Sequence, residues 1–331
     1  MVNIYKTKVN KSSTRNHIQK SRENKSKYYI SSKISLIMIT IDGSLTEGGG
    51  QILRTSLGLS ALTQQPFKII NIRKNRPNPG LREQHLQAVK AIKKLCSAEV
   101  QGDELNSKEL TFSPGKITKK KLKIKIRTAG STSLILQTLF LASFNNNLNI
   151  RIEGGGTWNL HAPSILYLQK VFLPLLNLNN EIKIIKNGFY PQGGAILEAK
   201  ITKNKTNFLD LEKREKLNRI NCISQASDHL KKSNVARRQI SGSVNNLKNI
   251  QEDISLKEEY VTSLSPGSGI ILAAQYENTI LGYDVVGEKG KQSEIVGKEA
   301  SEGLLKIMNS EATVDNFMID QILPFLAYNK G

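Results

Sequence analysis

The period of the apolar positions changes along this chain, and the changes mark out strands and helices. Residues 37–42 read as a short strand that enters a glycine turn. Beyond it Ile52, Leu53, Leu57, Leu59 and Leu62 recur at helical spacing as far as Gln64-Gln65-Pro66, so the glycines open a helix. Residues 67–72 are strand-like. Residues 81–96 place Leu86, Val89, Ile92, Leu95 and Cys96 on one face of a second helix, with Arg82 and His85 near its first turn. Residues 110–113 and the alternating run 122–127 predict two more strands, after which Gly130-Ser-Thr-Ser-Leu-Ile-Leu-Gln137 opens another apolar helix.

The glycine-to-helix layout thus returns after 80 residues, from Gly50 to Gly130. Strand runs follow at 148–153, 182–186 and 195–201, with a helix over 163–176, which predicts a tandem unit of two helices and several strands. From about Asn207 to Asp284 the composition shifts toward Lys, Arg, Asn and Ser, the mark of an inserted smaller domain closed by strands at 270–276 and 281–286. A helix over Ser293–Met308 then returns the chain to the main fold. The expected organisation is a basic extension over 1–37, the first part of a large domain over 38–206, an insert over 207–284 and the rest of the large domain over 285–331.

Charge narrows the partner class. The 48 Lys and Arg against 28 Asp and Glu give a formal net charge of +20, a field that favours polyanions and nucleic acid first among them. A coding bias toward Lys, Asn and Ile is the plain alternative source. Residues 1–37 carry a net +8 with few apolar positions, so disorder is expected there; the stretch is similar to an RNA-binding arm or a transit peptide, or lies upstream of a true start at Met38. There is no run of 18 apolar residues and no signal-like segment, so a soluble, intracellular protein is expected. Cys96 and Cys222 stand far apart without a CxxC or His-rich partner, which argues for neither zinc nor a disulfide framework.

Candidate chemistry concentrates in two segments, Glu47-Gly-Gly-Gly-Gln51-Ile-Leu-Arg54 and Arg73-Lys-Asn-Arg76-Pro-Asn-Pro-Gly80-Leu-Arg82-Glu-Gln84-His85. Consecutive glycines let backbone N–H groups approach a ligand, and four arginines within 29 residues supply planar donor forks for phosphate oxygens. Gly154-Gly155-Gly156 and Gly193-Gly194 read as tight turns, and Ser265-Pro-Gly-Ser-Gly269 lacks the strand-to-helix setting of a nucleophilic serine.

Taken in order, Asp42-Gly-Ser-x-x-Glu47-Gly-Gly-Gly-Gln51-Ile-Leu-Arg54, the Arg73 to Leu86 segment, Gly188-Phe189-Tyr190-Pro191-x-Gly193-Gly194 and Asp320-Gln321 closely resemble the RNA 3′-terminal phosphate cyclase family. The resemblance covers about residues 38–331. It implies a fold of α/β (α+β) class: three repeated units of two helices on a four-stranded sheet, interrupted by a smaller α/β insert. It implies ATP and a divalent Mg²⁺ or Mn²⁺ as cofactors and an RNA 3′-phosphate end as partner. The implied activity has three steps, in which a histidine attacks the α-phosphorus of ATP, AMP passes to the RNA 3′-phosphate, and the neighbouring 2′-hydroxyl displaces AMP to leave a 2′,3′-cyclic phosphate. By the same resemblance Glu47 stands near the metal and ATP phosphates, Arg54, Arg73, Arg76 and Arg82 clamp phosphate with Gln84 and His85 as uncharged donors, and Gln137 contacts nucleotide. The run Phe317, Met318, Ile319, Asp320 and Gln321 lines ATP, with the Phe317 ring toward adenine and Asp320 orienting a histidine or metal.

One departure accompanies the resemblance. The family's nucleophilic histidine lies downstream of the Asp-Gln motif, and none of His17, His85, His161 or His229 takes that place in the motif order. The expectation is a chain truncated at about the nucleophile's segment and impaired in the covalent step. The rival readings are a non-catalytic cyclase-like RNA-binding protein of RNA processing or ribosome biogenesis, and a related repeat enzyme acting on phosphorylated small carboxylates. A cytoplasmic location, nuclear in a eukaryote, completes the expectation.

Overall fold

A computed structural model describes residues 38–45, 49–204 and 209–329. The extension 1–37, Glu47, His17 and the expected boundary at 206/207 lie outside the described residues. Among the described residues the chain forms three four-stranded sheets with helices between and beside them.

The first unit is β1 (Ile39–Asp42), α1 (Gly50–Thr63), β2 (Phe67–Ile70), α2 (Glu83–Cys96), β3 (Glu99–Gln101) and β4 (Leu110–Ser113). Its sheet runs β1-β2-β4-β3, with β1 and β2 parallel and the other pairs antiparallel. The second unit repeats the plan: β5 (Lys121–Ser131), α3 (Thr132–Ala142), β6 (Leu148–Gly156), a helical stretch, β7 (Glu181–Lys186) and β8 (Ile196–Ile201), in the order β5-β6-β8-β7. The glycine-to-helix echo is therefore a structural repeat. The helical stretch comprises α4 (Ile165–Tyr167), a π-helical turn Leu168–Phe172 and α5 (Leu173–Leu175). Pro174 has no N–H to donate, and the turn ahead of it widens.

The third sheet is built differently. It comprises β9 (Leu217–Ser227), α6 (Val235–Val244), β10 (Asp253–Val261), β11 (Ser268–Tyr276) and β12 (Ile280–Val286), in the order β10-β9-β11-β12. Ile220, Cys222, Ile270, Leu272 and Leu281 form a core of their own with Val296, Ala300, Leu304 and Ile307 of α7 (Ser293–Met308). The insert closes later than the sequence places it. The boundary at 284/285 falls inside β12, and α7 covers the third sheet, because its apolar stripe completes that core and not the larger one. The chain rejoins the large body with α8 (Asn316–Asn329), whose Met318, Ile322 and Phe325 enter the main core.

Residue pattern explains the layering. β5 alternates buried Leu122, Ile124 and Ile126 with exposed Lys121, Lys123, Lys125 and Arg127, so one face is core and the other is wet. Every residue of α3 is buried, which makes it the central helix, packed between α1, α2 and α8. The rings of Phe140, Phe144, Phe172 and Phe325 meet at centroid separations near 6 Å (6.1, 5.9 and 5.8 Å) and join α8 to this centre. Cys96 is fully buried, as expected of a small core residue. No helix among the described residues is long and apolar enough to cross a membrane.

Candidate phosphate and nucleotide sites

α1 begins without a side-chain cap. Its N-cap is Gly49, which offers no side chain to cap the first N–H groups, and no acid occupies the first turn of the helix itself. The first-turn N–H groups and the positive end of the helix dipole favour an anion at this place. Around this end the sequence folds three basic or donor side chains. A methyl group built on Gly50 would lie 2.1 Å from Nε2 of His85 and 3.0 Å from a guanidinium nitrogen of Arg54; one on Gly49 would lie 3.6 Å from Arg76. Glycine is required at position 50 by these neighbours, with the helical backbone itself imposing nothing special.

His85 arrives at this place on the third residue of α2. Its Nδ1 accepts from the Arg82 N–H at 3.3 Å, which leaves the ring proton on Nε2, the atom that faces Gly50. The ring is 2 % exposed. Burial, followed by the positive charges of Arg54, Arg73 and Arg82, pushes its pKa down to about 3, so it is a neutral donor at physiological pH. Arg54 keeps part of its surface accessible, yet protein surrounds the guanidinium and pushes its pKa down to about 10. Its Nη2 donates to Gln51 Oε1 at 2.7 Å. Arg73 is held by bonds to the carbonyls of Asn78 and Gly80 at 2.6 and 3.2 Å, and its pKa is lowered by burial and by Arg82 and Arg76. Gly80 has φ +81° and no room for a Cβ, 2.4 Å from the Asn106 carbonyl oxygen, which fixes the loop carrying these arginines. Arg82 reaches Asn106 Oδ1 at 3.0 Å. Among the described residues Arg54, Arg73 and Arg82 have no carboxylate partner.

Gln137, on α3, is 6 % exposed, and among the described residues neither its amide nitrogen nor its oxygen has a partner. It shares a small cavity of about 20 Å³ with Gln51, Arg54, Thr55 and Gln321, and Gln321 Nε2 donates to Gln51 Oε1 at 3.3 Å. Three residues distant in sequence, Arg54, Gln137 and Gln321, thus meet. Gln84 lies beside Gly130, where a methyl would stand 3.6 Å from its Cβ.

The run 317–321 is divided by helical periodicity. Phe317 and Gln321 lie one turn apart on the face toward the sites, Met318 is fully buried in the core, and Ile319 and Asp320 are exposed. Met318 is committed to packing, and Asp320 has no hydrogen bond or ion pair among the described residues. Phe317 instead stands against Tyr167 and Tyr283, centroids 6.0 and 5.6 Å away, and lines a second cavity of about 620 Å³. Pro163, Tyr283, Asp284 and the exposed His161 also line it. Asp284 accepts from the Ser164 N–H at 2.7 Å, and burial pushes its pKa up to about 6. Sequence reasoning missed Tyr283 and Asp284, because only the crossing of β12 over this loop brings them here. It also missed Asp315, whose place directly before α8 is a readable cap signal. Asp315 accepts from the Phe317, Met318 and Gly282 N–H groups and the Tyr167 hydroxyl.

Two tandem α/β units, with arginines gathered at the start of α1, are the frame against which known proteins compare. The model of the family described as RNA 3′-terminal phosphate cyclase matches residues 45–331. Curated relatives include the RNA 3′-terminal phosphate cyclases of Pyrococcus furiosus, 42 % identical over 299 residues covering 89 % of this chain and 87 % of that protein, and of Saccharolobus solfataricus, 44 % identical over 302 residues covering 89 % and 88 %. The chain belongs to the RNA 3′-terminal phosphate cyclase family.

Proposed function

We propose that this chain is an ATP-dependent RNA 3′-terminal phosphate cyclase, a ligase of RNA processing that converts an RNA 3′-phosphate into a 2′,3′-cyclic phosphate with release of AMP and diphosphate. The observation that carries the reading is the contact of His85 and Arg54 with Gly50 at the open end of α1. There the terminal phosphate takes backbone N–H groups, the Nε2–H of His85 and the guanidinium groups of Arg54, Arg73, Arg76 and Arg82. Gln84 stands beside it as a further donor. A neutral imidazole donates to phosphate without being titrated, while the arginines offset charge that builds on phosphorus oxygens as the 2′-oxygen attacks. In that step the new P–O bond to the 2′-oxygen forms as the bond to AMP breaks, and the hydroxyl proton is released.

ATP fits the larger cavity by chemistry. The rings of Phe317 and Tyr283 with Pro163 form an apolar base site, and Gln321 and Gln137 reach toward the phosphate end. Among the described residues no group of three His, Cys, Asp or Glu side chains converges, so a divalent metal here would be held by the ATP phosphates and Glu47, which lies outside those residues. No step is routed through it. The nucleophile is assigned to none of the described histidines, since His85 serves the phosphate and His161 and His229 are exposed. An RNA substrate places the protein in the cytoplasm, or in the nucleus of a eukaryote.

The test is incubation of the full chain with a 3′-phosphorylated oligoribonucleotide, ATP and Mg²⁺ or Mn²⁺. Conversion of the end to a phosphatase-resistant form, dependent on ATP, supports the reading; a terminus that stays phosphatase-sensitive while RNA binds contradicts it and favours the non-catalytic RNA-binding alternative.

A further inference from the structure

The wet face of the second sheet has no role in the chemistry above. β5 exposes Lys121, Lys123, Lys125 and Arg127 at alternate positions, about 6.6 Å apart along the strand. Register adds three cations to the same face: Lys121 pairs with Asn149 and that with Lys200, while Lys123 pairs with Arg151, then Glu198, then Lys183. Glu153 and Glu198 are occupied by Lys123 and Arg151 at 2.8 to 2.9 Å. Lys121, Lys125, Arg127, Lys183 and Lys200 have no carboxylate partner among the described residues. Around Lys121, Lys123, Arg151, Lys183 and Lys200, with Glu181 and Glu198 among them, lies a shallow depression of about 650 Å³ with no aromatic ring in its lining.

The row of cations has a direction. Past Arg127, β5 reaches Gly130, which lies against Gln84, the residue before His85. Alongside β5 runs α2, with His85 in its first turn and Lys94 near its end, where Nζ donates to the Lys123 carbonyl at 3.5 Å.

We propose that the β5 row and the sheet face beside it are the track on which the RNA strand lies, running back from its 3′-terminal phosphate at the open end of α1. This rests on the reading of that end as the phosphate site. Evenly spaced cations on a strand follow a polynucleotide backbone, and the lack of an aromatic platform makes the track indifferent to sequence. An acidic protein surface would require neither the linear spacing nor the continuity with the phosphate site.

The experiment measures fluorescence anisotropy of the full chain with 3′-phosphorylated oligoribonucleotides two and about twelve nucleotides long, over a series of salt concentrations. Wild type should bind the longer RNA roughly tenfold or more tightly, with a steeper salt dependence. A variant carrying Lys121→Glu, Lys125→Glu, Lys183→Glu and Lys200→Glu should bind the dinucleotide as wild type does and lose the gain with length. Replacing the same four by Gln should lower the log–log salt slope by about 0.7 for each phosphate contact removed. Length dependence undiminished in both variants overturns the proposal, as does displacement of the long RNA by an acidic polypeptide but not by unlabelled RNA. If wild type ignores the terminal phosphate yet the variants still abolish the length gain, the track stands and the phosphate-site reading fails.

Discussion

His85 and Gly50 are packed so closely that a methyl group on the glycine would stand 2.1 Å from the imidazole Nε2, far inside van der Waals contact. Position 50 thus decides where the neutral donor of the phosphate site sits. Alanine at a helical position is worth up to about 1 kcal/mol over glycine, but here it must displace His85. Gly50→Ala is therefore expected to keep the fold while weakening binding of a 3′-phosphorylated dinucleotide roughly tenfold or more, the cost of a lost charge-independent donor. Anisotropy titration beside a thermal melt separates the two effects; unchanged affinity would contradict the placement of His85.

Arg54 holds a surrounded charge with no carboxylate among the described residues, so ligand binding should offset its desolvation. A 3′-phosphorylated dinucleotide at about 100 times its Kd should stabilise the wild type by about 2.7 kcal/mol. Arg54→Met should lose that ligand-dependent shift without losing stability in the free form. Differential scanning calorimetry with and without the dinucleotide reads both.

His85 and Asp284 contribute opposed pH dependences, and Asp315, whose carboxyl pKa burial also raises, acts in the sense of Asp284. His85 binds its proton below about 3 when folded and below about 6.5 when unfolded, so its stabilisation is present above 6.5 and is lost as pH falls through that window. Asp284 binds its proton below about 6 when folded and about 3.8 when unfolded, so its stabilisation is lost as pH rises from about 4 to 6. The wider histidine window dominates the pair. Between about pH 4.5 and 7 the slope of urea midpoint against pH should be more positive than wild type in Asp284→Asn and less positive in His85→Gln, each proton contributing at most about 1.4 kcal/mol per pH unit. Identical slopes in wild type and His85→Gln would exclude the buried neutral histidine.

Asp315 ties the start of α8 to Tyr167 of the main body and to Gly282 on β12 of the third sheet, and caps its own first turn. Asp315→Ala removes a cap and leaves the buried Tyr167 hydroxyl unpaired, at a cost of about 2–4 kcal/mol. Chemical denaturation should show that loss. Because α8 carries Phe317 and Gln321, ATP binding should weaken in the same variant, while an exposed change such as Asp320→Asn should leave stability within about 0.5 kcal/mol.

Much of this architecture was readable in the chain, and the parts that were not have physical reasons. The repeat showed itself because Gly50 and Gly130 each introduce an apolar run of helical length, and α1 and α3 do stand at equivalent places in their units. The arginine and histidine cluster was legible because its members lie on two adjacent segments joined by short connections. The insert boundary was missed because the stripe of α7 is apolar enough for either core, and only tertiary packing selects the third sheet. The division of residues 317–321 was not legible because motif order carries no phase: on a helix Met318 turns inward and Asp320 outward. Tyr283 and Asp284 reach the aromatic cavity through the crossing of β12, a relation with no local signal.

The claim on which the account turns is that the open end of α1 holds a terminal phosphate. Competitive binding of two otherwise identical oligoribonucleotides, one ending in a 3′-phosphate and one in a 3′-hydroxyl, measures it directly. The account predicts a preference of roughly tenfold or more for the phosphorylated end, abolished by Arg54→Met and by Gly50→Ala. Equal affinity of the wild-type chain for both ends would contradict it.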